Sequence, residues 1–88
     1  VLRHDGNQKW YAVLMKISWD KLEKGREGLV EAVNLKHDQV ADLLSKKGIY
    51  PAFHMNKRYW ISVALDNTLS DEEVLELMEK SWNLTTKK

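Results

Sequence analysis

The residues from Gly48 to Trp60 (Gly-Ile-Tyr-Pro-Ala-Phe-His-Met-Asn-Lys-Arg-Tyr-Trp) hold the only proline of the chain, four of its eight aromatic residues, a histidine and two adjacent cations. No acidic residue lies between Asp42 and Asp66. Cations interleaved with aromatic rings, and not neutralised by carboxylates, attract phosphate and offer faces on which bases can stack. The chemistry expected of this stretch is therefore nucleic-acid binding. Lys57 and Arg58, at the tip of an expected hairpin, are the sharpest candidates for phosphate contacts. Lys46 and Lys47 extend the patch, although the negative end of a helix dipole accounts for them without a ligand. His54 adds a further positive charge when protonated at mildly acid pH. Asn56 either serves the turn or donates to a base edge or phosphate. Strand alternation places Tyr59 and Trp60 on opposite faces, so at most one of them need be exposed, and Trp60 is the stacking candidate.

Each of these residues also has a plainer reading. Paired cations at turns occur on most protein surfaces, and a small domain needs its aromatics inside, Phe53 foremost. Catalytic constellations are missing. Asp71, Glu72, Glu73, Glu76 and Glu79 fit a helix N-terminus and a solvated helix face. There is no G-x-S-x-G, phosphate-binding loop or dinucleotide fingerprint. Without cysteines, thiol and zinc-finger chemistry are excluded. The three histidines are remote from one another, so no metal site is expected. No enzyme and no cofactor are expected. The second partner class is a protein, or another copy of this chain, bound through an uncovered sheet face or edge.

These residues must be positioned by a small scaffold. Val1–His4 reads as a short strand running into an Asp5-Gly6-Asn7 turn, and Lys9–Ser18 as a second strand. Trp19–Gly28 is a charged connection with room for one helical turn, and Leu29–Lys36 is a third strand. Asp38 is the expected N-cap of a helix through Lys47, with Gly48 in the left-handed position after it. Ala52–Met55 and Tyr59–Leu65 read as two further strands around an Asn56-Lys57 turn. Ser70 and Glu73 form a capping box ahead of the last helix. The order β-β-β-α-β-β-α with short turns predicts an α+β two-layer sandwich: a mostly antiparallel sheet with helices on one face.

A chain of 88 residues makes one domain, expected over residues 1–84 with residues 85–88 as a frayed tail. The net charge of +1 hides a division: residues 1–70 carry eleven cations against eight anions, and residues 71–80 carry five carboxylates against one lysine. No apolar run is long enough for a membrane span and nothing resembles a signal peptide. With no cysteines, these features make cytoplasmic the expected location. The chain opens at Val1 and not at methionine, which suggests that a preceding segment has been removed.

Trp10-Tyr-Ala12, Val33-Asn-Leu-Lys36, Gly48 to Lys57, Trp60-Ile61, the spacing to Asp66 and the Asp71-Glu-Glu73 helix start together resemble the MmcQ/YjbR family. The resemblance spans nearly the whole chain and is most specific from Pro51 to Trp60. It implies a small bacterial α+β domain related in fold to CyaY-like and secretion-chaperone-like sandwiches. It also implies DNA binding, because that fold resembles the double-wing module of transcription factors. Members usually carry an N-terminal helix ahead of the first strand, which this chain lacks. Some members have a cysteine where this chain has His37, so a thiol-based role is excluded.

Overall fold

The computed structural model describes residues 2–6 and 9–86. Its elements are β1 (Leu2–Arg3), β2 (Trp10–Ser18), a 3₁₀ turn (Trp19–Lys21), β3 (Leu29–Lys36), α1 (Val40–Leu43), β4 (Ile49–Pro51), β5 (Trp60–Ala64) and α2 (Asp71–Thr86). The strands form one antiparallel sheet in the order β1-β2-β3-β5-β4. The predicted class and element order hold.

Alternation along the strands gives the sheet two unlike faces. Ala12, Leu35 and Ile61 are aligned across β2, β3 and β5, and Leu14, Val33, Val63 and Ile49 across β2, β3, β5 and β4. Most of this face is the main core, closed by Val40 and Leu43 of α1 and by Val74, Leu77 and Met78 of α2. Fully burying each such aliphatic side chain stabilises the fold by about 1.5–3 kcal/mol. Both helices therefore lie on one side, as predicted.

The opposite face carries Val13, Asn34, Ser62 and Tyr50 in one row and Met15, Ala32 and Ala64 in the next. No helix covers it. Trp19, held edge-on to Tyr50 at 6.2 Å, packs there with Val30 and Ala64. The rest of the cover is the segment after β4, fixed by side chains of the sheet itself. The Asn34 amide donates to the Phe53 carbonyl at 2.8 Å, the Phe53 N–H donates to the Ser62 hydroxyl at 2.9 Å, and that hydroxyl donates to the Asn34 side-chain oxygen.

This tie corrects one expectation. Ala52–Met55 is not a strand, and the short strand lies earlier, at Ile49–Pro51. Both backbone groups of Phe53 are satisfied by side chains, so they join no ladder. The next residue, His54, has φ of 58°, which turns the chain out of extended geometry.

The first helix is also shorter than expected, Val40–Leu43, with Gln39 at its cap and no side-chain capping bond. Asp38 does not cap it. Its carboxylate lies 3.4 Å from the Lys80 ammonium, and the Gln39 N–H instead donates to Nδ1 of His37 at 2.9 Å. Gly48 does take a left-handed φ, of 90°, where an added Cβ would come within 3.2 Å of Thr68 and Leu69.

At the start of α2 the capping box forms reciprocally between Ser70 and Glu73, each bond 3.2 Å. Its end differs from expectation. Thr85 and Thr86 are helical, and Thr85 is buried, its hydroxyl 2.6 Å from Nε2 of His4. The remainder of the expected tail, residues 87–88, lies outside the described residues, as do Val1 and Asn7. Ser81 of the same helix accepts the Lys36 N–H at 2.9 Å and donates to the Tyr11 carbonyl at 2.6 Å. One serine thus spans the point where the β2–β3 ladder opens, and fixes α2 to both strands.

Two outcomes are expected. Asn34→Ala leaves the Phe53 carbonyl and the Ser62 hydroxyl without their partner, so urea unfolding should show a loss of about 1–3 kcal/mol, with exchange protection falling first over residues 52–58. His37 titrates below its usual value of 6.5, because burial disfavours the charged ring and Lys80 adds to this, while Asp38 opposes it. The unfolded chain therefore takes up this proton at a higher pH than the folded one. The resulting stability is complete above about pH 6.5 and is lost as the pH falls below it. His37→Asn, which keeps an acceptor for Gln39 N–H, should flatten the fall in melting temperature between pH 7 and pH 5.5.

Candidate nucleic-acid interface

Between β4 and β5 the chain makes a tight, protruding turn. The Asn56 side-chain oxygen accepts the Arg58 N–H at 2.9 Å, and its carbonyl accepts the N–H groups of Tyr59 at 3.2 Å and Trp60 at 3.0 Å. That oxygen is thus used by the turn, the first of the two roles open to Asn56. The turn leaves Lys57, Arg58 and Tyr59 exposed, with Trp60 half-buried at the start of β5. The Arg58 guanidinium lies 5.7 Å from the centre of the Tyr59 ring, and the exposed His54 ring packs on Phe53 at 3.9 Å. Five of the seven residues expected at the site, His54, Asn56, Lys57, Arg58 and Trp60, are therefore gathered on one projection.

The other two are elsewhere. Lys46 and Lys47 precede β4, near the Gly48 carbonyl that accepts the Ala64 N–H at the far end of β5. From Ala64 to Trp60 is roughly 13 Å of strand. Lys46 is in addition neutralised, its ammonium 2.5 Å from a Glu73 carboxylate oxygen. That ammonium, with the Ser70 N–H, holds the Glu73 carboxyl below the usual range. The expected continuous patch is split because β4 runs antiparallel along β5, so that Lys46 and Lys47 lie beside its Ala64 end and the turn at its Trp60 end.

In place of those lysines the fold supplies Lys36, the last residue of β3. It is the register partner of Trp60 across β3 and β5, on the same face. No local signal marks it; only the β3–β5 pairing, across more than twenty residues, brings it to the knob. The charge around this end is positive but bounded. Among the described residues no ion pair holds Lys57 or Arg58, while Arg58 and Tyr59 border a groove whose other wall includes Asp38 and Asp42.

The histidines occupy three separate environments. His4 is buried between Tyr11 and Trp82, His37 lies beneath α1, and His54 is on the knob. Among the described residues no three potential ligands converge as a metal ion would need, and no helix is long and apolar enough to cross a membrane.

A family model described as YjbR matches residues 1–84. The uncharacterised protein YyaQ of Bacillus subtilis (strain 168) is 37% identical over 86 residues, covering 96% of this chain and 73% of its own. A crystal structure of a Pseudomonas syringae protein superposes with a TM-score of 0.90 at 44% identity, over 94% of this chain and 73% of that one. A Deinococcus radiodurans protein with a DUF419 domain superposes at 0.62 with 31% identity, over 88% and 62% of the respective chains.

Proposed function

The chain belongs to the YjbR family, and from that premise we propose that it is a non-enzymatic nucleic-acid-binding domain of the cytoplasm that grips duplex DNA through the knob between β4 and β5. The observation that carries this reading is the pair Lys57 and Arg58, exposed, free of ion pairs among the described residues and flanked by an exposed tyrosine. Long cations on a rigid turn reach successive phosphates, and Lys36 behind them adds a third contact. Tyr59 and the outer edge of Trp60 supply apolar contact with sugars or bases. The likeness of the family fold to the double-wing module favours duplex DNA as the polymer.

The number of cations sets the strength. Three neutralised phosphates give a slope of about −3 for log K against log[salt]. Binding to a generic duplex, followed by fluorescence anisotropy from low to physiological salt, should show that slope. Lys57→Glu with Arg58→Glu should abolish binding, while Lys46→Glu, at a residue already paired with Glu73, should change it less than about twofold. A flat salt titration, or full binding by the double variant, would remove the proposal.

A further inference from the structure

On the face that no helix covers, the ends of the strands beside the knob carry a second row of cations and aromatic rings. Leu2 packs on the main core, so Arg3, the next residue of β1, is directed to the opposite face. Its register partner is Trp10, although Leu2 is paired with Ala12. The residue taken up by that shift is Tyr11, which stays on the helix side with its ring edge-on to Trp82 at 4.8 Å. Trp10 is thereby turned to the open face, where it is 44% exposed. Lys36 and Trp60, paired across β3 and β5, stand on the same face at the same end of the sheet. With the strands in the order β1-β2-β3-β5, a cation, an indole, a cation and an indole follow one another. Four strands make three spacings, so the band is roughly 14 Å wide and its two indoles are about 10 Å apart.

The charge on this face has one sign. Glu31 is the only acidic residue within the described strands, and it alternates with Val33 and Leu35 on the helix side. Among the described residues no ion pair holds Arg3 or Lys36. Asp5, two residues beyond Arg3, is the carboxylate nearest to the band in sequence.

We propose that this band is a subsite for an unpaired strand of DNA running off the duplex that the knob holds, an inference that rests on that reading of the knob. Phosphates meet Arg3 and Lys36, and bases stack on Trp10 and Trp60. The spacing favours an unpaired strand. Bases within a duplex lie about 3.4 Å apart along each strand, each face covered by its neighbour. Two indoles about 10 Å apart on a rigid sheet take only bases that have left the stack. Such stacking tolerates any sequence, because every base has a π-face.

The test is fluorescence anisotropy at low salt with a blunt duplex and with the same duplex carrying a single-stranded tail of about six nucleotides, on a 3′ end in one DNA and on a 5′ end in another. One tailed duplex should bind about tenfold more tightly than the blunt one. Trp10→Ala, a change at an exposed site, should remove that gain and leave the affinity for the blunt duplex essentially unchanged, and Arg3→Glu should do the same. The indole N–H signal of Trp10 should shift with the tailed duplex and not with the blunt one, while those of Trp19 and Trp82 stay in place. Equal binding of blunt and tailed duplexes, or a gain that survives both Trp10→Ala and Arg3→Glu, would overturn the inference and leave the knob reading standing. Failure of the blunt duplex to bind is the separate result that removes the knob reading, and this inference with it.

Discussion

Asn34 sits at the middle of the sheet on the face that no helix covers, and its amide group is the contact on which the exposed part of the molecule depends. A three-residue edge strand followed by an eight-residue connection (Ile49–Pro51, then residues 52–59) has little ladder to hold it. Its order comes from two buried polar side chains, Asn34 and Ser62, which satisfy each other and both backbone groups of Phe53. Each of these hydrogen bonds adds only about 1 kcal/mol net, but leaving one member buried and unpaired costs about 1–3 kcal/mol. The asymmetry makes the arrangement close to all-or-none: the segment lies across the sheet with every group paired, or it leaves together. The same tie explains why the turn that follows, closed by Asn56, projects Lys57 and Arg58 in one direction.

A second constraint acts from the other layer. Ser81 occupies the point where the β2–β3 ladder parts, and Thr85 meets His4 one helical turn further on. The C-terminal helix therefore holds both the opening of the central strand pair and the short first strand. It crosses the sheet with Glu73 and Lys80 toward α1 and Leu75 and Trp82 toward the uncovered side. The polarity of its two flanks follows from that placement. One faces a neighbour with complementary charges, and the other faces the β2–β3 surface around Leu14 and Val33.

Much of this was legible in the sequence. The strands Trp10–Ser18 and Leu29–Lys36 announce themselves by alternation, and the Ser70–Glu73 box marks a helix start correctly because its signal is local. What failed was whatever depended on a distant partner. Asp38 has the right type for an N-cap, but Lys80, forty-two residues later, claims its carboxylate. Ala52–Met55 has strand-like composition, but Asn34 and Ser62 capture Phe53 before a ladder can. Thr85 and Thr86 look like a polar end, and only His4, from the other terminus, shows why they remain helical. At the candidate site the local part was readable: Asn56 to Trp60 lie together because they are consecutive. Lys46 and Lys47 were separated from them, and Lys36 was added, by strand register alone.

The resulting charge distribution is more informative than the net value of +1. Carboxylates gather along the outer edge of α2, and the exposed cations of the β4–β5 turn project at the end where β5 begins. A protein with both signs mixed everywhere would present a weak and featureless field to any partner. Segregation leaves the two signs on different surfaces of one small body, and screening over about 8–10 Å at ordinary salt weakens their mutual cancellation. Neither surface shares a residue with the other, and their supports are also different: the knob is held by Asn34 and Ser62, the acidic edge by the packing of α2 on β2 and β3. Substitutions at one should therefore be nearly additive with substitutions at the other. The sheet is the spacer between the cationic turn and the acidic edge of α2.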